Sequence, residues 1–123
     1  MHPIAIRGAT TVNKNNADDI KQASVEMTRR LVEENGINSD DIIMVFLTMT
    51  ADLTAYNAAS AIRLGLNWQD VPFFTSQEPS IDGMLARCIR ILVQCHSDKH
   101  KSEVRHVYLG EAGKLRPDLK EKQ

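Results

Sequence analysis

Five stretches of the chain carry the apolar patterns that are typical of β-strands. Apolar and polar residues alternate over residues 4–12 and 87–96, which predicts strands with one apolar face each. Six consecutive apolar residues at 42–47, within a predicted strand at 41–48, indicate a strand that is covered on both faces. A short strand is predicted at residues 71–75, and the last strand at residues 104–112. The five strands are expected to form one mixed sheet.

Two stretches between the first three strands have the pattern of amphipathic helices. Asn16 is a suitable N-cap for a helix that runs to about Asn35, and Gly36 is placed to end it in the left-handed conformation. A second helix, at about residues 55–66, is rich in alanine on one side, which allows close packing against a sheet. One further helical turn is expected within residues 81–86.

The order of these elements predicts an α+β fold in a single domain, with a mixed five-stranded sheet and two main helices. We expect this domain to span residues 1–123, with residues 115–123 as an extended C-terminal tail. The last three strands are not separated by long helices, so one sheet face has little to cover it. Since an uncovered apolar face must be buried, we expect a homo-oligomer.

Composition narrows the class of function. The net charge of -1 gives no electrostatic footprint for nucleic acid or an anionic membrane, and no apolar stretch approaches the length of a bilayer span. No signal peptide precedes the first strand, and no Cys/His spacing resembles a metal site. Cys88 and Cys95 would lie roughly 23 Å apart along one strand, too far for a disulfide. Two free thiols are typical of the cytoplasm.

Two arginines occur inside apolar strand segments. Arg90 lies within residues 89–93, and Arg7 lies within residues 4–9. Either one alone is compatible with the solvent-facing side of an edge strand. Together they favour a pocket for an anion, because the planar guanidinium matches carboxylate geometry. The residues with suitable chemistry are Arg7, Arg63, Glu78, Arg90, Tyr108 and Arg116.

This candidate set contains cations, one carboxylate and one phenol, but no recognisable nucleophile. The chain has no glycine-rich nucleotide-binding motif, and no serine, cysteine or lysine is paired with a histidine in a known catalytic pattern. Fixed cations can bind carboxylates and stabilise negative charge that develops on an oxygen. Such a set therefore favours a unimolecular rearrangement over hydrolysis or redox chemistry.

Four segments resemble, in the same order, motifs of the AroH-class monofunctional chorismate mutases. They are residues 7–12 (RGATTV), 88–91 (CIRI), 105–109 (RHVYL) and 115–119 (LRPDL). The resemblance covers nearly the whole chain. It implies a homotrimer around a barrel-like core of strands, with active sites at the subunit interfaces. It also implies the Claisen rearrangement of chorismate to prephenate without a cofactor, in the biosynthesis of phenylalanine and tyrosine.

The same resemblance implies roles for individual residues. Arg90 is expected to stabilise negative charge on the ether oxygen of the breaking bond, and Glu78 to accept a hydrogen bond from the ring hydroxyl. Arg7 is expected to bind a substrate carboxylate with the help of Tyr108. Further residues expected at the substrate are Arg63, Phe74, Thr75, Ser76, Gln77 and Arg116. In the family, the stretch around residues 57–75 of one chain faces the arginines of its neighbour.

Three positions depart from the family pattern. Asn57, Ser60 and Thr75 stand where relatives often carry phenylalanine, lysine and cysteine. The first two weaken the expectation of an apolar lid and of a cation at the rim of the pocket, whereas a threonine hydroxyl can still form a hydrogen bond. Two alternatives stay open: a non-catalytic trimer that binds a dicarboxylate metabolite and, without matching motifs, an imine deaminase.

Overall fold

The computed structural model describes residues 1–115. Its main elements follow the predicted order and are β1 (His2–Thr11), α1 (Ala17–Asn35), β2 (Ile42–Met49), α2 (Ala58–Gly65), β3 (Phe73–Gln77), β4 (Cys88–Ser97) and β5 (Val107–Tyr108). Short 3-10 helices occupy Ser39–Asp41, Lys101–Glu103 and Gly110–Lys114. Of the predicted tail, residues 116–123 lie outside the described part of the chain.

The five strands form one mixed sheet in the order β3-β2-β4-β1-β5. β4 is the central strand and pairs antiparallel with both β1 and β2. The two outer strands pair in parallel, β3 with β2 and β5 with β1. The predicted α+β class, mixed five-stranded sheet and two main helices are therefore confirmed.

Both ends of α1 are formed by the predicted capping residues. The side chain of Asn16 accepts a hydrogen bond from the backbone N–H of Asp19 at 2.8 Å. Gly36 ends the helix with a φ of 60°, the left-handed conformation that glycine adopts at little cost. These caps fix the length of α1 and thereby the stretch of sheet that it covers.

The main core lies between the two helices and one face of the sheet. From α1 it includes Ile20 and Met27, and from α2 it includes Ile62, all fully buried. Buried positions alternate over residues 89–95 of β4 and over residues 45–47 of β2, where Val45 and Leu47 face the core. The residue between these two is only partly buried, so the expectation that β2 is covered on both faces is wrong for the single chain. The second face of the sheet carries only a small buried cluster of Ala9, Tyr108 and Ala112 near β5, and the rest of it is open.

Two elements have other boundaries than the sequence predicts, each for a local reason. α2 begins at Ala58, not near residue 55, because the Asn57 side chain accepts hydrogen bonds from the N–H groups of Ala59 and Ser60. The predicted strand at 104–112 is reduced to Val107–Tyr108, since the chain turns at Gly110 with a φ of 57° into a 3-10 helix.

The helical turn expected within residues 81–86 is absent. The segment forms a turn in which the N–H of Met84 donates to the carbonyl of Ile81 at 3.1 Å, and Gly83 has a φ of 84°. The left-handed glycine breaks the helical path. Within residues 1–115, no helix is long and apolar enough to cross a bilayer.

Candidate functional site

The open face of the sheet carries a cavity of about 310 Å³. Its walls come from all strands except β3, from the residue that follows β3, and from the segment after β5. The lining residues are Arg7, Gly8, Ala9, Phe46, Thr48, Glu78, Arg90, Ile91, Leu92, Tyr108 and Leu115. Four of the residues predicted from the sequence, Arg7, Glu78, Arg90 and Tyr108, are thus brought together.

Strand register explains why these side chains meet. Arg90 in β4 lies directly opposite Ala9 in β1 and Thr48 in β2, and Ala9 in turn lies beside Tyr108 in β5. Directly paired residues share a face of a sheet, so this row projects into the cavity. Arg7 belongs to the next row, opposite Leu92. The small side chain of Ala9 leaves space between the arginine and the phenol.

Arg90 forms an ion pair with Glu78. The Nε atom of Arg90 lies 3.3 Å from Oε1 of Glu78, and the Thr48 hydroxyl donates to the same oxygen at 2.6 Å. The backbone N–H of Glu78 donates to the carbonyl of Met49 at 2.9 Å, which anchors this residue just beyond the end of β3. The carboxylate therefore holds the guanidinium from one side.

The Arg90 side chain is 46% exposed, whereas that of Glu78 is 16% exposed. The alternation of β4 places Arg90 on the open face of the sheet, which accounts for its exposure in one chain. The arginine is held on one side by Glu78, and its other side still faces solvent.

Cys88 lies on the same strand two residues before Arg90 and is buried. Burial raises the pKa of its thiol, and the nearby positive charge of Arg90 opposes this rise only in part. Cys95 is also buried and free, and burial raises its pKa as well. Both cysteines are therefore protonated at neutral pH and unsuited to act as nucleophiles. Residues 1–115 contain no cluster of three or more metal-binding side chains.

The other predicted site residues that the structure describes do not line this cavity. Phe74, Thr75, Ser76 and Gln77 lie on β3, an outer strand, and all four are exposed. Arg63 is on α2 and is also exposed. Thr75 is opposite Leu47, which places it on the helix-covered face of the sheet, away from the face that carries Arg90. Arg116 lies outside the described residues.

Several lining residues were missed by the sequence analysis. Phe46, Thr48 and Leu92 were read as parts of apolar strands, and Leu115 as the start of the tail. The alternation in β4 already put Leu92 on the face of Arg90. The contribution of β2 depends on its register with β4, in which Thr48 meets Arg90, and no local pattern specifies that pairing.

Comparisons with known proteins agree on one family. The family described as chorismate mutase type I matches residues 4–119 of the chain. A chorismate mutase AroH from Bacillus subtilis (strain 168) is 38% identical over 114 residues, which are 93% of this chain and 90% of the relative. A chorismate mutase AroH from Thermus thermophilus is 41% identical over 120 residues, which are 96% of this chain and 97% of the relative.

A solved structure has the same fold. It is a chorismate mutase from Clostridium thermocellum, with a TM-score of 0.88 and 38% sequence identity, and the match covers 91% of this chain and 99% of that chain. The similarity therefore extends over almost the whole of both molecules, and the resemblance noted in the four sequence motifs is confirmed.

Proposed function

This chain belongs to the chorismate mutase type I family, and we propose that its open-face pocket converts chorismate to prephenate. The reaction is a Claisen rearrangement, in which an ether C–O bond breaks while a C–C bond forms within one molecule. It needs no nucleophile and releases no leaving group. The protein is accordingly an isomerase of aromatic amino acid biosynthesis.

The observation that carries this proposal is the Arg90–Glu78 pair beside Arg7 and Tyr108. As the ether bond breaks, its oxygen gains negative charge, and the Arg90 guanidinium is the donor placed to stabilise it. Glu78 holds Arg90 at 3.3 Å, so the cation is oriented before the substrate arrives. A donor fixed in advance stabilises the transition state without the cost of reorganisation.

The remaining polar groups bind the ends of the substrate. Arg7 lies on the same face of the sheet as Arg90, in the neighbouring row of paired residues, and binds a substrate carboxylate. The phenol O–H of Tyr108 donates a hydrogen bond to the same carboxylate. Glu78 accepts a hydrogen bond from the ring hydroxyl. Leu92 and Phe46 provide apolar surface for the ring. These contacts hold the substrate in the compact conformation that the rearrangement requires.

We further propose that the active protein is a homotrimer in which a neighbouring chain completes each pocket. Large apolar side chains are exposed, with Leu92 at 41% and Phe74 at 66%. The Phe74 ring stacks on that of Phe46, with 5.9 Å between ring centroids, and so extends the apolar surface next to the cavity. Neither Arg63 on α2 nor Thr75 on the helix-covered face of the sheet lines the pocket of its own chain, so we assign both to the pocket of a neighbour.

Two of the three departures from the family pattern, Asn57 and Ser60, lie at the start of α2. Asn57 caps α2, so it stabilises the helix that carries Arg63 toward the neighbouring pocket. Ser60 lies in the first turn of the same helix, and the lysine that relatives often carry at this position is not required to stabilise the helix. We expect the binding of the dianionic substrate to depend more strongly on the cations that remain. The two free, buried thiols support placement in the cytoplasm.

The activity is tested by adding the purified protein to chorismate and following the loss of its absorbance. Conversion well above the uncatalysed rate, with prephenate as the product, supports the proposal. A folded protein that binds chorismate without converting it would overturn the proposal and favour the dicarboxylate-binding alternative. A transition-state analogue that binds more tightly than chorismate adds independent support for catalysis.

The shared site is tested by mixing two inactive variants. Arg90→Ala damages one half of the pocket, and Arg63→Glu reverses the charge of the other half. In trimers assembled at random from equal amounts, about one interface in four combines the intact halves, so about a quarter of the wild-type activity should return. Mixing without prior dissociation is the control. No recovery in confirmed mixed trimers would show that each site lies within one chain.

A further inference from the structure

Strand β5 is too short to satisfy every backbone group of β1 that faces it. Its two residues pair with Gly8 and Ala9, so the ladder of backbone hydrogen bonds stops one position before Arg7. The preceding residue of the chain, His106, continues the ladder with its side chain. Its Nδ1 atom accepts the hydrogen bond of the Arg7 backbone N–H at 2.9 Å.

We propose that His106 is a positioning residue for Arg7, and through Arg7 for the substrate carboxylate. The inference rests on the proposed function of the pocket. Because a backbone N–H can only donate, Nδ1 must be unprotonated, which places the ring hydrogen of the neutral imidazole on Nε2. The contact fixes the main chain of Arg7 at the level where its side chain enters the cavity.

The surroundings of His106 make this contact sensitive to protonation. Beside the main cavity lies a groove of about 280 Å³ lined by Ile4, Ala5, Arg7, Leu92, Lys101, Val104 and His106. Among residues 1–115, the charged side chains that line this groove with His106 are Arg7 from β1 and Lys101 from the 3-10 helix. A proton on Nδ1 would remove the acceptor and add a positive charge beside these two cations. Both effects loosen Arg7.

Two substitutions distinguish the hydrogen bond that the His106 side chain accepts from the protonation of its imidazole. His106→Asn places Oδ1 where Nδ1 was, so it keeps an acceptor that does not titrate. His106→Leu removes the acceptor and keeps an apolar side chain. We expect His106→Leu to raise KM for chorismate about three- to tenfold at pH 8, the effect of one lost hydrogen bond, with kcat little changed. His106→Asn should keep KM close to the wild-type value.

The pH profile is the decisive measurement. In the wild type, KM should rise as pH falls through the range in which histidine takes up a proton, about pH 7 to 5.5. In His106→Asn the rise should be absent. Any contribution of Glu78 is common to both proteins, so the difference between them isolates the imidazole. His96→Asn, at the far end of β4, is the matched control and should keep the wild-type profile.

A readout without substrate separates this inference from the proposed function. The amide resonance of Arg7, followed by 15N NMR, should shift in wild type over the same pH range and stay constant in His106→Asn. Absence of wild-type chorismate conversion would count against the proposed function. A normal KM in His106→Leu, or the same pH dependence of KM in His106→Asn as in an active wild type, would overturn the positioning role.

Discussion

Replacing Arg90 by alanine should greatly lower kcat and change the free energy of unfolding only slightly. The substitution removes a guanidinium whose Nε lies 3.3 Å from Oε1 of Glu78. The arginine side chain is 46% exposed in the chain, and ion pairs of such exposure contribute about 0–1 kcal/mol to folding. The hydrogen bond from Thr48 still satisfies the carboxylate of Glu78 after the arginine is lost. The free energy of unfolding should therefore fall by no more than about 1 kcal/mol.

The effect on the reaction should be much larger. Loss of one preorganised donor to a developing negative charge typically costs about 2.7–4 kcal/mol, which is about 100- to 1000-fold in kcat. Arg90→Lys should recover little of this loss, because its ammonium is a point charge without the planar fork that both Glu78 and the substrate oxygen engage. The expected variant is thus folded, able to bind the substrate, and slow.

The assay measures kcat and KM from the loss of chorismate absorbance, together with chemical unfolding of each variant. Arg29→Ala, at an exposed position of α1, is the matched control and should leave kcat, KM and the free energy of unfolding unchanged. A kcat for Arg90→Ala within about threefold of wild type would refute the electrostatic role. A loss of activity that follows from unfolding would refute the separation of the two effects.

Three further changes test other parts of the structure. Glu78→Gln should lower kcat/KM about tenfold, since a neutral amide accepts a weaker hydrogen bond than a carboxylate, and an unchanged value in the chorismate assay would contradict its proposed role. Burial alone would raise the pKa of Asp52, but hydrogen bonds from the Thr50 hydroxyl and the Arg87 N–H outweigh it and lower the pKa below 3.8. The stability that Asp52 adds is therefore present above pH 3.8 and is lost as pH falls through its folded-state pKa. The difference in unfolding free energy between wild type and Asp52→Asn should thus become smaller in acid, and a difference that stays constant with pH would argue against these hydrogen bonds. Asn57→Ala should cost about 1 kcal/mol in thermal or chemical unfolding and Asn57→Asp much less, because only the latter keeps the cap of α2.

The order of elements and the face of most residues were predictable, because they depend on local periodicity. The caps of α1 and the alternation in β4 are examples, since Asn16, Gly36 and Arg90 all occupy the expected positions. The start of α2 was also encoded locally: the Asn57 side chain is a common N-cap, and the strong alanine pattern before and after it obscured the signal.

The site was predictable only in part, because it depends on pairing between distant segments. The meeting of Thr48 with Arg90 comes from the register of β2 with β4, and a shift of one residue would put Thr48 on the other face. The contact of His106 with Arg7 arises because β5 begins only at Val107, so the His106 side chain accepts the hydrogen bond of the next β1 residue. The composition of neither segment reveals these non-local events.

The exposure of Arg90 links subunit association to catalysis. A half charge about 3 Å from a cation gains about 0.7 kcal/mol in bulk water but about 2.8 kcal/mol at an effective dielectric constant of 20. Only the second figure reaches the contribution of about 2.7–4 kcal/mol that a preorganised donor normally makes. Since the Arg90 side chain is 46% exposed in one chain, that chain alone leaves the site too close to the first figure. In the homotrimer that we propose, a neighbour packs against the apolar surface around Leu92 and Phe74 and excludes the water, and the interface then strengthens the electrostatic interaction on which the rearrangement depends.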